Sequence, residues 1–331
     1  MDRHGCVGFI AAQASGRFAH ETKSSTLPGL EPTREPILQN DVVTNRNVGR
    51  CAGAAAAAWD HPSLAAAFLD PRYDGIRVVG DVHGDAQAFS AALADARQRD
   101  LFVVQLGDLV DRGPDSAGAL RLAIEMVAEG QGRFLLGNHD DKLQRALRAG
   151  SRVVVSQDLA RTLAQIDSAG MRSEAVSALG SAPLWLRFGA WFMVHAGFDP
   201  AMLEVAYPDA APASRPARGL VHRALRGQTP AQARGEAQAR DAQGHPVRLH
   251  DWIDDIPAGL TVLVGHDQLS SDSIVASTGR SGGTALFCDT GCGKGGRLSW
   301  YDIPRSRLEQ GRWRLDPGVA PPASPVAPVA C

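Results

Sequence analysis

The chain has 331 residues, a formal net charge of −2 and a composition that is 44% hydrophobic and 21% charged. These values are typical of a globular α/β domain with appendages, and they exclude nucleic-acid binding through bulk positive charge. Only 6% of the residues are aromatic, too few for a platform on which bases stack, and no apolar run of about 18 residues occurs, so we expect no membrane partner and a cytoplasmic location.

Three regions differ in composition along the chain. Residues 1–71 mix Gly, Pro, Ala, Thr and Asn with little periodicity, which predicts a poorly ordered N-terminal extension. Residues 72–305 hold the regular patterns, and we assign them to one domain in which residues 199–250 form an insertion or lid. Residues 306–331 are rich in Pro and Ala, which indicates a flexible C-terminal tail.

Six short apolar runs within the domain have the length and the β-branched content of strands. In chain order they are IRVVG, LFVVQLG, RFLLG, WFMVHAG, LTVLVG and TALFCD. Helical patterns follow each of the first three runs. Strand–helix alternation predicts a largely parallel, buried sheet with crossover helices.

Polar residues that suit metal binding follow five of these strands. They are Asp81 with His83, Asp108, Asn138, His195 and His266. Because sites in open α/β sheets form at the carboxyl ends of the strands, we expect these side chains to lie together. A set of carboxylates, imidazoles and one amide, without a thiolate, favours Mn, Fe, Zn, Co or Ni over a closed structural zinc. Six ligands are enough for two ions that share one carboxylate.

The blocks GDVHGD, GDLVDRGP, GNHD, HAG and VGHD resemble, in this order, those of the calcineurin-like metallophosphoesterases, and more narrowly their phosphoprotein phosphatase branch. The resemblance spans residues 74–302 and implies a sandwich of mixed β-sheets flanked by helices, with the site at the carboxyl ends of the strands. It implies two divalent metal ions, with Mn²⁺ as the first choice. One ion would be held by Asp81, His83 and the bridging Asp108, and the other by Asp108, Asn138, His195 and His266.

The same resemblance implies roles in catalysis, in which a hydroxide that bridges the two metals attacks phosphorus directly. Arg112 would bind the phosphoryl oxygens, His139 would protonate the leaving oxygen or hydrogen-bond to it, and Asp111 would orient His139. Arg223 and Arg226 are candidates for the second phosphate-binding arginine that the resemblance implies, and either could instead belong to a solvated helix face.

The expected function is hydrolysis of phosphomonoesters, in the manner of serine/threonine protein phosphatases, on a phosphoprotein or a small phosphorylated molecule. The block DTGCGKGGRL is similar to one in bacterial polynucleotide kinase-phosphatases, and the symmetric dinucleoside tetraphosphatases share the same blocks. The alternative is therefore a nucleotide hydrolase that acts on dinucleoside polyphosphates or 2′,3′-cyclic nucleotides. A non-catalytic metal-binding scaffold is disfavoured, because no expected ligand is missing. Asp289 either contacts a site residue such as His266 or serves a turn, and Asp140 is a turn residue or a support for the ligands.

Overall fold

The computed structural model describes residues 67, 70–205, 215–230, 240 and 247–313. The strands in this part of the chain are β1 Gly75–Val79, β2 Leu101–Gln105, β3 Gly132–Phe134, β4 Trp185–Phe188, β5 Trp191–Val194, β6 Thr261–Val264, β7 Val275–Thr278, β8 Thr284–Phe287 and β9 Trp300–Pro304. The α-helices are α1 Ala86–Gln98, α2 Ser116–Ala128, α3 Asn138–Leu147, α4 Gln157–Ser168, α5 Arg172–Gly180, α6 Arg215–Arg226 and α7 Arg305–Trp313. Two short 3₁₀ helices, Pro200–Leu203 and Asp251–Asp255, complete the set.

The strands form two mixed sheets. The first has the order β3-β2-β1-β9, with β1, β2 and β3 parallel and β9 antiparallel at one edge. The second has the order β4-β5-β6-β8-β7, with β5, β6 and β8 parallel and an antiparallel strand at each edge. This architecture confirms the expected sandwich of mixed sheets. Strand–helix alternation predicted a largely parallel sheet, and all six predicted strands are parallel, but they are divided between two sheets.

All six predicted strands are present, and they are the six parallel members of the two sheets. The three strands that the sequence did not predict, β4, β7 and β9, are antiparallel and lie at sheet edges. Parallel strands are buried on both faces and therefore read as continuous apolar runs. An edge strand such as β7, whose residues alternate between half-buried and exposed, carries a weaker apolar signal.

One buried cluster joins the two sheets. It contains Val78 and Val104 from the first sheet and Met193 and Leu263 from the second, all fully buried. A second cluster includes residues of the same strands that point the other way, such as Val79, together with residues of the flanking helices. Since successive side chains of a strand point to opposite faces, every parallel strand except the short β3 contributes to both clusters. This packing fixes the strand ends at which the polar residues lie.

The structure describes only a small part of the expected N-terminal extension and C-terminal tail. Helix α7 begins at Arg305, so the expected boundary at residue 305 falls at the start of a helix, in which Leu308 is buried. The rest of the expected tail, and nearly all of the expected N-terminal extension, lie outside the described residues. Within the expected insertion, helix α6 packs on the turn after β5, where the Ala196 amide donates to the Ala224 carbonyl at 2.8 Å. In the part of the chain that the structure describes, no helix is long and apolar enough to cross a membrane.

Candidate metal centre

The polar residues at the strand ends come together at one edge of the two sheets. β1, β2 and β3 of the first sheet lead into Asp81, His83, Asp108 and Asn138, and β5 and β6 of the second lead into His195 and His266. The site therefore lies where the carboxyl ends of the parallel strands of both sheets meet, as sites in α/β folds do.

Asp108 lies between two groups of potential metal ligands. Asp81, His83 and Asp108 form one group, and Asp108, His195 and His266 form the other, with the ligand atoms of each group within 4.8 Å of one another. The Oδ2 atom of Asp108 is 3.6 Å from Nε2 of His83, and its Oδ1 atom is 3.4 Å from Nε2 of His195. A single carboxylate thus faces both groups.

The imidazoles of His83 and His195 present lone pairs to this centre. Nδ1 of His83 donates to the Val110 carbonyl at 3.0 Å, and Nδ1 of His195 donates to the Leu106 carbonyl at 2.9 Å. Because a carbonyl oxygen only accepts, Nδ1 carries the proton and Nε2 of each neutral ring has the lone pair. Burial lowers the pKa of His83 to about 3 and also lowers the pKa of His195, which keeps both rings neutral.

His266 and Asn138 bring a ring nitrogen and an amide oxygen to this centre. Nε2 of His266 is buried and finds no hydrogen-bond partner among the described residues, and burial lowers the pKa of this ring to about 3. Oδ1 of Asn138 lies 3.1 Å from Nε2 of His195, so two lone-pair-bearing atoms face each other beside Asp108. A buried set of nitrogen and oxygen lone pairs without protons between them fits a divalent cation.

The raised pKa values of two buried carboxyl groups also indicate that a cation would be stabilised here. Burial raises the pKa of Asp81 well above its usual value, and the charges of Asp289 and Asp108 raise it further. Burial, with the charge of Asp108, raises the pKa of Asp289 to about 6. Cations bound among these groups would relieve their mutual repulsion.

The backbone around the site is strained at specific positions. Five of its non-glycine residues have φ angles between 46° and 70°, namely His83, Asp108, Asp111, Arg112 and His266. Among the described residues only Asp100, outside the site, shares this property. Left-handed conformations of non-glycine residues concentrate at functional sites, where the surrounding structure enforces them.

Asp140 holds two of the motif loops together. Its fully buried carboxylate accepts hydrogen bonds from the amides of Asp108, Leu109 and Gly137 at 2.7, 3.0 and 3.1 Å. The loops touch so closely that a Cβ atom on Gly137 would lie 2.1 Å from the Asp108 amide nitrogen. The sequence left Asp140 as a turn residue or a support, and the structure shows that it supports the loop that carries Asp108.

A similar contact ties the first sheet to the second. The His266 amide donates to the Asp81 carboxylate at 3.0 Å, and a Cβ atom on Gly265 would lie 2.1 Å from Asp81 Oδ1. Only glycine permits this approach. The carboxylate that ends β1 is thereby fixed against the turn that ends β6.

His139 and Arg112 lie beside the ligand groups. Nδ1 of His139 donates to Asp111 Oδ2 at 2.7 Å, and although burial opposes it, the carboxylates of Asp108 and Asp111 raise the pKa of His139 above its usual value. The Arg112 guanidinium lies between two imidazoles, with Nη2 3.3 Å from Nε2 of His139 and Nη1 2.6 Å from Nε2 of His83. A metal ion held by Nε2 of His83 would replace this hydrogen bond from Arg112.

The two candidates for a second phosphate-binding arginine are both half-buried on α6 but differ in their surroundings. Nη1 of Arg223 is buried without a hydrogen-bond partner among the described residues, and its Cδ atom would lie 3.2 Å from a Cβ atom on Gly197. Arg223 thus packs on the turn that carries His195. Arg226 uses its backbone carbonyl to accept a hydrogen bond from Arg248 Nη1 at 3.1 Å.

Of the two roles that the sequence left open for Asp289, the structure shows the turn contact. Its buried carboxylate accepts from the Gly291 amide at 2.8 Å and pairs with Nζ of Lys294 at 2.9 Å, and its charge raises the pKa of Asp81. The sequence feature that drew attention to Asp289 was its position at the end of the apolar run that contains β8. Cys288 and Cys292, on either side of it, are buried free thiols.

Comparison with known proteins agrees with this geometry. Residues 76–282 match the model of the calcineurin-like phosphoesterase family. One curated relative, a symmetrical bis(5′-nucleosyl)-tetraphosphatase of Chromohalobacter salexigens, is 30% identical over 278 residues, which cover 73% of this chain and 97% of the relative. Another, the asymmetrical bis(5′-nucleosyl)-tetraphosphatase PrpE of Bacillus velezensis, is 26% identical and covers 69% of this chain and 88% of the relative.

Among solved structures, a protein serine/threonine phosphatase from Saccharomyces cerevisiae aligns with a TM-score of 0.42 and 15% identity, over 77% of this chain and 90% of that chain. The family match covers most of the domain and includes every residue of the two ligand groups. The chain belongs to the calcineurin-like phosphoesterases, a family that uses divalent metal ions, and it is a metal-dependent phosphoric ester hydrolase.

Proposed function

We propose that this protein hydrolyses phosphomonoesters at a centre of two divalent metal ions. The main support is Asp108, whose two oxygens face two separate groups of nitrogen and oxygen lone pairs. One ion would be held by Asp81, His83 and Asp108, and the other by Asp108, Asn138, His195 and His266. Oxygen and nitrogen donors without a thiolate suit Mn²⁺. When bound, such ions lower the pKa of water toward neutrality and neutralise phosphoryl oxygens.

Arg112 would bind the phosphoryl group. Its guanidinium is a planar fork that matches two phosphoryl oxygens, and it already lies beside both His83 and His139. Asp111 and Arg112 each have a φ of 70°, so the backbone turns sharply at these two residues. The guanidinium would thereby compensate charge that develops on the phosphoryl oxygens.

His139 would supply a proton to the leaving oxygen. The hydrogen bond from Nδ1 to Asp111 fixes the ring, and Nε2 is turned toward Arg112, where the phosphoryl group would bind. A proton held at Nε2 would then be within reach of the leaving oxygen. Asp111 would act only through His139, by orienting the ring and stabilising its charged form.

The direct test compares the wild type with His139→Ala on phenyl phosphate, whose leaving group needs a proton. We expect turnover by the wild type to require Mn²⁺, and the variant to lose kcat by a factor on the order of 10² to 10⁴. His222→Ala, which changes an exposed histidine on α6, serves as the control and should keep wild-type turnover. Absence of metal-dependent hydrolysis with Mn²⁺, Fe²⁺, Zn²⁺, Co²⁺ and Ni²⁺ would sink the proposal.

A second candidate substrate class is the dinucleoside polyphosphates. The curated relatives are named as bis(5′-nucleosyl)-tetraphosphatases, and Lys294, which pairs with Asp289 at 2.9 Å, would offer a further cation to a longer polyphosphate. A panel that contains a phosphoserine peptide, diadenosine tetraphosphate and a 2′,3′-cyclic nucleotide, each with Mn²⁺, ranks the classes by kcat/KM. Release of phosphate from the phosphopeptide alone would exclude the nucleotide alternative. Hydrolysis of a nucleotide alone would replace the monoester proposal.

A further inference from the structure

A buried hydroxyl lies behind the pair formed by His139 and Asp111. Thr162, on helix α4, is 1% exposed, and its Oγ1 donates to Asp111 Oδ1 at 2.6 Å. The other carboxylate oxygen of Asp111 accepts from His139 Nδ1 at 2.7 Å. Each oxygen of this carboxylate is therefore held by one side chain, and the two hydrogen bonds together fix the plane of the carboxylate.

Helix α4 also holds the loop that carries Asp111. The Ser116 Oγ accepts from the Asp111 amide at 3.0 Å and lies 3.2 Å from Thr162 Oγ1. Gln165, one turn after Thr162, accepts from the Ser116 amide at 2.8 Å and donates to the Pro114 carbonyl at 2.8 Å. Two side chains on one face of α4 thus hold the segment from Asp111 to Ser116, in which Asp111 has a strained φ of 70°.

We propose that Thr162 is a positioning residue for proton delivery to the leaving group. By donating to Asp111, its hydroxyl keeps the carboxylate in the plane that orients the imidazole of His139. Thr162 itself is buried behind Asp111 and would not touch the substrate. This inference rests on the proposed function, because it assigns the support of an acid that the phosphoesterase would use.

The proposal predicts a dependence on the leaving group that a general loss of structure would not produce. Phenoxide is basic and leaves readily only when protonated, whereas 2,4-dinitrophenoxide is a stable anion that needs no proton. Thr162→Val keeps the shape of the side chain but removes the hydrogen bond to Asp111. We expect kcat for phenyl phosphate to fall about tenfold, as is typical when a supporting hydrogen bond is removed. We expect kcat for 2,4-dinitrophenyl phosphate and both KM values to stay near the wild type.

Four further variants complete the comparison, two at Thr162 alone and two that carry Asp111→Asn. Thr162→Ser keeps the hydroxyl and should restore kcat for phenyl phosphate. Thermal melting reports whether Thr162→Val is folded. If it is not, Thr162→Ala, which also lacks the hydroxyl, allows the same comparison of kcat for the two phosphate esters. In an Asp111→Asn background, Thr162→Val should cause no further selective loss, because Thr162 acts through Asp111.

The outcomes separate the inference from the function on which it rests. A loss confined to phenyl phosphate and reversed by Thr162→Ser supports the inference. Equal losses on both substrates, no loss on either, or failure of serine to restore activity overturns it while leaving the phosphoesterase function in place. A wild type that hydrolyses neither substrate with any of the metals overturns the proposed function and the inference together.

Discussion

The carboxylate of Asp140 accepts a hydrogen bond from the backbone amide of Asp108 across 2.7 Å. Two further amides donate to the same carboxylate, so three buried N–H groups depend on one side chain. A buried donor that loses its partner has no water to replace it. Asp140 therefore sets the position of Asp108, the residue that lies between the two ligand groups.

Replacing Asp140 by alanine should destabilise the protein and weaken metal binding. Each of three buried amides would lose its acceptor, and an unsatisfied buried group costs roughly 1–3 kcal/mol. We expect the free energy of unfolding, measured in urea, to fall by at least about 3 kcal/mol. The affinity for Mn²⁺, measured by calorimetry on the folded variant, should fall as well.

Asp141→Ala is the matched control for this prediction. Asp141 is the next residue, and it pairs at 2.8 Å with Arg145, which is exposed on the same helix. Such a pair contributes only about 0.3–0.5 kcal/mol. Equal urea midpoints for the alanine variants at positions 140 and 141 would contradict the role given to Asp140.

Arg112→Lys should impair substrate binding and turnover together. Lysine keeps the positive charge but lacks the planar fork that can bind two phosphoryl oxygens at once. We expect kcat/KM to fall by a factor on the order of 10² and inhibition by inorganic phosphate to weaken. Arg145→Lys, at an exposed position of α3, should leave both quantities unchanged. An unaltered inhibition constant for phosphate in the Arg112 variant would argue against this assignment.

The structure distinguishes the two arginines that the sequence could not separate. Arg223 has a buried, unpartnered Nη1 and packs on the turn after His195, so a phosphoryl oxygen would satisfy a nitrogen that has no partner among the described residues. We expect Arg223→Gln to raise KM about tenfold or more, because a charge-assisted hydrogen bond is lost. Arg226→Gln should have a smaller effect. The reverse order in steady-state kinetics would show that Arg226 is the phosphate ligand.

The candidate ligands could be predicted because each follows its own strand directly. Asp81, Asp108 and His266 lie one or a few residues after an apolar run and a glycine, so local sequence identifies both the strand end and the side chain. The parallel strands then bring these ends to one edge. Within each sheet this step needs only the parallel arrangement, whereas the meeting of the two sheets at this edge followed only from the family resemblance.

The supporting residues could not be predicted, because their partners are distant in the sequence. Thr162 meets Asp111 across 51 positions, and Asp140 meets the Asp108 amide across 32. A threonine in the amphipathic α4 reads as an ordinary helix residue until the helix is placed against the loop. The edge strands β7 and β9 were missed for a related reason, because their partly exposed residues lack a continuous apolar run.

Two metal sites that share Asp108 should be visible in the Mn²⁺ content of the purified protein. After equilibration with Mn²⁺ and removal of unbound metal, elemental analysis of the wild type should give about two ions per chain, the stoichiometry of a site with one shared carboxylate. His266→Ala alters one of the two ligand groups and should retain about one ion per chain. Asp108→Asn alters both groups and should retain less Mn²⁺ than the wild type or His266→Ala. A wild type that binds no Mn²⁺, or an Asp108→Asn variant with undiminished content, would contradict the two-metal centre.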